Sequence, residues 1–409
     1  MPYWANAVAG IAPEAAPSIA PTRPMACRRR IPLETSLLML CNPLWKRDPP
    51  LRSYQGRTFR RSSASRVSPP YTSLEENLHG AWRSPTKWGQ CSITLVVLQT
   101  QRDPSSVVQV VQANAGHFLI DGRGSIRKEV SEMRKAIMAN TFPAGMPLAD
   151  QFHVSAETGF AGIEIGLARE GFFSIDGDPA DTETVARLAH ETGLTISGML
   201  AGPLGQIPPT SNDPSVRAEA VRVVRRTIEV APHLGVDTLL LVPGRVEVDV
   251  PYGVAWDRAL AFVRELIPDC ERHGITLAVE NVWNRMIYSP IEMRHFVETI
   301  GHPLVGVYWD AGNHAPYTWP QHWPPVLGNH IRRVHVKGFN TNAGPTWPGF
   351  VRLLDGTIDW PAVMASLRAI GYDGWVTIEI GFGGANQSPA EILRKAREFS
   401  ADMDTLLSM

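Results

Sequence analysis

From about Ala136 onward the chain alternates short apolar runs with longer amphipathic stretches. Runs at 136–139, 161–165, 194–197 and 238–242 read as strands, since each is brief, rich in Ile, Leu, Val or Ala and bounded by turn residues. Four more follow, and each ends in a polar side chain. Leu277-Ala278-Val279 runs into Glu280-Asn281, Val307-Tyr308-Trp309 into Asp310, residues 331–334 into His335, and residues 375–378 into Glu379. Helical patterns lie between them, with clear punctuation. One covers 181–192 and stops at Gly193; another opens at Asp213-Pro214 and runs to about residue 234, before Gly235. Ser289-Pro290-Ile291-Glu292 and Ser388-Pro389-Ala390-Glu391 have the form of capping boxes with proline at the first helical position. Asp359 opens a further helix that Gly371 ends.

Eight strand–helix units over about 275 residues match a (β/α)8 TIM barrel, which typically takes roughly 250. A doubly wound open sheet would carry a glycine-rich phosphate turn after an early strand, and no G-x-G-x-x-G follows any strand here. No solenoid-type repeat is present. The predicted fold is therefore an α/β (β/α)8 barrel over residues 133–409, preceded by an extension over 1–132.

Composition changes the picture only at the front. Residues 1–132 hold Pro-rich and basic Ser-rich stretches without sustained periodicity, which predicts a largely disordered extension, or a start assigned upstream of Met133. The net charge of −1 hides an asymmetry: 17 Lys/Arg against 9 Asp/Glu in residues 1–132, and 22 against 31 in residues 133–409. An acidic body argues against nucleic acid as a partner. The four cysteines show no motif spacing, so neither a disulfide framework nor a thiolate metal site is expected, and a reducing, cytoplasmic setting is the default. No apolar run approaches bilayer-spanning length, and residues 1–30 lack the basic-then-apolar form of a secretory signal.

The candidate chemistry lies in the last four strands. In a barrel of this kind the C-terminal strand ends share one rim, where active sites are built. Glu280, Asp310, His335 and Glu379 would come from strands five to eight, half of that rim. Singly, each reads as an ordinary rim residue. Together, three carboxylates and an imidazole make a hard, oxygen-rich site for one divalent cation: Mn2+ first, with Mg2+, Co2+ or Zn2+ as alternatives. Lys337, two residues beyond His335, is expected to bind a substrate oxygen or to pair with a ligand carboxylate. Glu164 at the end of strand two is expected against sugar hydroxyls or in a structural hydrogen bond. Asn281 and Asn313 are candidate amides behind the ligands. Trp283, Tyr288, Trp309, Tyr317, Trp319, Trp323 and Trp347 are candidates for an apolar wall.

The segments Gly159-Phe160-Ala161-Gly162-Ile163-Glu164, Val279-Glu280-Asn281, Trp309-Asp310-Ala311-Gly312-Asn313, Val334-His335-Val336-Lys337 and Gly371–Glu379 resemble the xylose-isomerase-like barrel superfamily. More narrowly they resemble its sugar phosphate isomerase/epimerase group, over about residues 134–406. That resemblance implies that Glu280, Asp310, His335 and Glu379 bind one divalent metal and that Glu280 and Glu379 move the proton, through a metal-stabilised enediolate. Lys337, Glu164, Asn313 and Trp283 would then contact a small sugar or sugar phosphate, and a homo-oligomer follows by analogy. Two places depart from ketose 3-epimerases: Asn313 stands where they carry histidine, and Met286 where they carry glutamate.

An inosose or keto-sugar dehydratase on the same barrel is the alternative, since it shares the enediolate step. An abasic-site nuclease of the endonuclease IV type needs three zinc ions and extra histidines. Ser197-Gly198-Met199, Val242-Pro243-Gly244 and Ala311-Gly312-Asn313 occupy those places, so a trinuclear site cannot form.

Overall fold

The computed structural model describes residues 132–409 apart from 201, 382 and 384–386, and the backbone of four strands between residues 93 and 128. Those four, Ile93–Gln99, Val107–Ala113, Gly116–Ile120 and Ile126–Lys128, pair in sequence order as an antiparallel meander. The apolar run at 93–98 is too short to cross a bilayer but long enough for a strand. The expectation of disorder for the rest of residues 1–131 lies outside the described residues.

The barrel strands are β1 (Arg134–Met138), β2 (Gly162–Gly166), β3 (Thr195–Leu200), β4 (Thr238–Leu241), β5 (Thr276–Glu280), β6 (Val305–Asp310), β7 (Ile331–Val336) and β8 (Trp375–Ile378). All neighbouring pairs are parallel, and β8 pairs with β1 to close the ring. Helices α1 (Leu148–Glu157), α2 (Pro179–Thr192), α3 (Pro214–Val230), α4 (Tyr252–His273), α5 (Pro290–Ile300), α6 (Trp323–Leu327), α7 (Trp360–Ala369) and α8 (Pro389–Ser408) follow the strands in order. Among the described residues no helix is long and apolar enough to cross a membrane.

Helix starts follow the sequence signals, with small shifts. The cap of α2 is Asp178 rather than Asp181, and α3 hands over at Ala231 to a 3-10 turn that reaches Gly235. Ser388 forms the full reciprocal box with Glu391. At Ser289 only half of it forms: the hydroxyl accepts from Glu292 N, but Glu292 turns its carboxylate to Tyr288 N, one residue upstream.

The side chains split into two apolar layers. The larger lies between the strands and the ring of helices, and includes Ile163, Leu239, Leu277, Val307, Trp309 and Val334. The smaller fills part of the barrel interior with Met138, Leu200, Leu240, Val242, Ala278, Val282 and Tyr308. Alternation along β6 explains the division, because Tyr308 and Asp310 face the interior while Trp309 faces the helices. Register shifts interrupt the ladders at Ile163/Glu164 and Val307/Tyr308. Bulges of this kind re-aim side chains beside functional sites, and both affected polar residues take part in the site below.

Candidate functional site

The C-terminal strand ends carry four polar side chains to one point. Glu280 is the last residue of β5, Asp310 the last of β6, His335 the penultimate residue of β7, and Glu379 follows β8 directly. Ladder register fixes their heights: Tyr308 lies beside Glu280, Asp310 beside His335, and Glu379 N donates to Val336 O at 3.0 Å. One ligand-type atom from each lies within 4.8 Å of the others, and all four residues are buried. Among the described residues no other cluster of three or more His, Cys, Asp or Glu does this. His335 Nδ1 sits between the two glutamates, 3.2 Å from Glu280 Oε1 and 3.4 Å from Glu379 Oε2.

Each member is held from behind. His335 Nε2 is 3.0 and 3.1 Å from the two oxygens of Glu164, which also accepts the hydroxyl hydrogen of Tyr308. Glu164, expected against sugar hydroxyls or in a structural hydrogen bond, is fully buried beneath the imidazole, with its oxygens engaged from inside the barrel. Gly198 of β3 gives room for this arrangement, since a Cβ there would come within 3.3 Å of Tyr308 Oη.

Asp310 is fixed by its own loop. Its Oδ1 accepts from Gly312 N at 2.8 Å and Asn313 N at 2.7 Å. Asn281 closes a reciprocal pair with the Asp310 backbone, accepting from N and donating to O, each at 2.8 Å. Asn313, expected behind the ligands or on the substrate, donates its amide to Asn281 O at 2.9 Å. Lys337 is buried, with its ammonium 2.9 Å from Asp310 Oδ2 and in contact with Glu379 Oε2, so it pairs with ligand-type carboxylates. Gly312 lets it lie there, because a Cβ at that position would overlap the Lys337 stem.

These contacts set the charge of the site. Burial pushes the Glu280 carboxyl up to about 8, aided by Glu379 and Asp310 and opposed by His335. Burial also raises Asp310, against the pull of Lys337. Burial works the same way on Glu379, but the Lys337 ammonium and His335 outweigh it and hold that carboxyl well below its usual range. For His335 burial favours the neutral ring, and the carboxylates of Glu164, Glu280 and Glu379 overcome it, raising the imidazole well above its ordinary value.

The donor set fits a hard divalent cation. Three carboxylates and an imidazole converge at ligand spacing in a buried pocket at the strand ends. His335 presents Nδ1 to the cluster while Nε2 faces a carboxylate, the arrangement that orients metal-ligating histidines.

An aromatic group borders the cluster. Trp283 donates its indole N–H to Asn313 O, and its ring centroid lies 5.0 Å from Trp347, 5.1 Å from Phe350, 6.2 Å from Phe339 and 6.3 Å from Tyr317. Tyr288 and Trp323 join it through Tyr317 and His314. Two expected members are elsewhere: Trp309 packs in the outer core, and Trp319 is 65% exposed. Phe339 and Phe350, which the sequence did not single out, lie on a two-stranded excursion between β7 and α7.

Known proteins share this architecture. L-ribulose-5-phosphate 3-epimerase UlaE of Salmonella paratyphi C is 24% identical over 273 residues, covering 64% of this chain and 92% of that protein. The crystal structure of a D-tagatose 3-epimerase-like protein superimposes with a TM-score of 0.56 at 21% identity, covering 68% of this chain and 98% of that one. The 3-keto-D-glucoside 4-epimerase YcjR of E. coli gives 0.51 at 17% identity, covering 66% and 100%. A family model described as xylose isomerase-like TIM barrel matches residues 152–403, and the chain belongs to that family.

Proposed function

We propose that the protein is a divalent-metal-dependent epimerase or isomerase of sugars that works by proton transfer at the carbon beside a carbonyl. The observation that carries this reading is the convergence of Glu280, Asp310, His335 and Glu379 within 4.8 Å at the barrel mouth. Relatives named as sugar epimerases, though only about a quarter identical, support the reaction class. Glu280, Asp310, His335 Nδ1 and Glu379 would hold the ion, with Mn2+ the first choice for a mainly carboxylate set. When bound, it supplies the positive charge against which an enediolate can develop.

The protein's own groups then divide the work. Glu280 and Glu379 lie 3.2 and 3.4 Å from His335 Nδ1, which supports a division in which one takes a carbon-bound proton and the other returns one. Burial excludes water from both. Lys337 offsets the carboxylate charge and keeps Glu379 ionised. Asn281 and Asn313 hold Asp310, and Glu164 with Tyr308 holds His335, so the acid and base act from a fixed frame.

The test is exchange of carbon-bound hydrogen in deuterium oxide, with ketoses and aldoses as substrates and Mn2+ added. Wild type is expected to exchange. Glu280→Gln and Glu379→Gln are each expected to lose about 10²- to 10⁴-fold, the usual contribution of a positioned acid or base. Undiminished exchange in both variants refutes the assigned roles. Loss of water from the substrate, read by mass, would move the assignment to a dehydratase.

A further inference from the structure

Arg333 lies two residues before His335 on β7, on the same face of the strand, so its side chain enters the barrel one layer beneath the imidazole. It crosses to β3, the strand opposite β7 in the ring. There Nε donates to Ser197 O at 2.9 Å, while Nη1 donates to Arg332 O at 2.9 Å. Nη2 pairs with Asp237 Oδ1, just before β4, at 2.6 Å. Every nitrogen of the guanidinium is thus engaged, two of them by backbone carbonyls.

Those two carbonyls belong to the bulges. Ser197 is the residue that the β2–β3 register skips, because Ile163 pairs with Ile196 and Glu164 with Gly198. Arg332 is the residue that the β6–β7 register skips, because Val307 pairs with Ile331 and Tyr308 with Arg333. A bulged residue loses its ladder partner, and a carbonyl freed in this way within a closed sheet must be satisfied elsewhere. One planar guanidinium, with its donors in a fixed fork, serves both. Each bulge also sets the phase of the strands entering the site, since a shift of one residue turns side chains to the other face. One shift lies directly before Glu164 and the other directly before Tyr308. These two side chains meet beneath His335: Tyr308 donates its hydroxyl hydrogen to Glu164, and Glu164 Oε2 is 3.0 Å from His335 Nε2.

We propose that Arg333 is a positioning residue for His335. Its guanidinium locks the two bulges, the bulges aim Glu164 and Tyr308, and that pair holds the imidazole with Nδ1 toward Glu280 and Glu379. This rests on the reading of His335 as a metal ligand and adds the device that orients it. Among the described residues the hydrogen bonds of Arg333 all go to the barrel floor and none to the four ligand-type side chains, so its effect passes through Glu164 and Tyr308. The Asp237 carboxylate is largely exposed, and an exposed ion pair adds little stability, so that contact serves as an anchor for the fork. Lysine cannot do the same work, because an ammonium is a point charge on a flexible stem.

The test reads His335 in two ways in the full chain. Mn2+ affinity is followed by electron paramagnetic resonance. In the metal-free protein, isotope-labelled at histidine and assigned with His335→Asn, the ring-proton shifts of His335 report its packing against the Tyr308 ring, 4.5 Å away. Arg333→Met is expected to lower Mn2+ affinity about tenfold, the lower end for a group behind a ligand, and to move the His335 resonances. Arg333→Lys keeps the charge and is expected to behave the same way; it carries the test if the methionine variant does not fold. In a Glu164→Gln background the loss on changing Arg333 is expected to shrink to about twofold or less, because both changes act on one imidazole. An undiminished loss in that background would show that Arg333 only stabilises the barrel, and overturns the proposal. Unchanged Mn2+ affinity in either Arg333 variant overturns it as well. Wild type that binds no Mn2+, with His335 resonances that still move in Arg333→Met, removes the metal reading and keeps the clamp.

Discussion

Glu164 shows how much one side chain can control at this site. A histidine that ligates through Nδ1 must carry its proton on Nε2, and Nε2 is the nitrogen 3.0 Å from Glu164. With the proposed ion on Nδ1 the carboxylate would therefore select the tautomer as well as the ring orientation, and Tyr308 holds the carboxylate. Glu164→Gln should lower Mn2+ affinity about 10- to 100-fold, the usual cost of losing such a partner, while the circular dichroism spectrum stays that of wild type. Titration with Mn2+ followed by electron paramagnetic resonance measures it, and an unchanged affinity would show that Glu164 only fills space. His314 makes a different case. It is buried with Nδ1 unpartnered, and burial lowers its pKa from 6.5 to about 4. Between those values the unfolded chain binds a proton that the folded chain does not. Stability should therefore rise with pH across that window and be complete above about pH 6.5. At 1.36 kcal/mol per pH unit the contribution is about 3 kcal/mol. Urea melts of wild type and His314→Phe at pH 4.5 and 7.5 should differ in this slope, and parallel pH dependence would place the effect elsewhere.

At the scale of elements, punctuation decided what could be read. The barrel's last helix, α8, begins with a complete capping box, Glu391 N donating to Ser388 Oγ and Ser388 N to Glu391 Oε2. Ser388→Ala should cost about 1 kcal/mol, a fall in melting temperature of roughly 2–4 °C for a domain of this size. Calorimetry that finds no fall would mean the α8 start is held by packing alone. Helices with a side-chain cap, α2, α3, α5, α7 and α8, were legible in the sequence. Helices α1 and α4 were not, because each starts after a proline with no side-chain cap, and Pro268 inside α4 reads as a breaker. Strand ends were legible because apolar runs closing in a polar residue are unusual. What lay behind them was hidden: Glu164 and Tyr308 come from strands far apart in sequence, and each sits at a register shift that no local pattern signals. Trp309 was misplaced on the rim for a simpler reason. Period-two alternation sends it to the opposite face from Asp310, and that was readable.

Across the whole molecule, closure of the barrel and assembly of the site both lie within residues 134–408. β1 pairs with β2 on one side and β8 on the other. Lys135 reaches from β1 to α8, 2.6 Å from Asp404 and 2.9 Å from Ser400 Oγ, and so ties the first strand to the last helix. Arg352 holds α8 to the β7–α7 excursion through two bonds to Asp402, at 2.6 and 2.7 Å. The earliest residue in the site is Glu164, and the acidic cluster comes from the last four strands. Nothing before Met133 closes the ring or touches the cluster among the described residues. A chain beginning at Met133 should therefore fold alone, with a melting temperature within a degree or two of the full chain. It should keep the full chain's Mn2+ affinity and its rate of hydrogen exchange in deuterium oxide. A large fall in melting temperature would show that residues 1–132 pack on the barrel. A fall in exchange rate at unchanged stability would show instead that they reach the mouth.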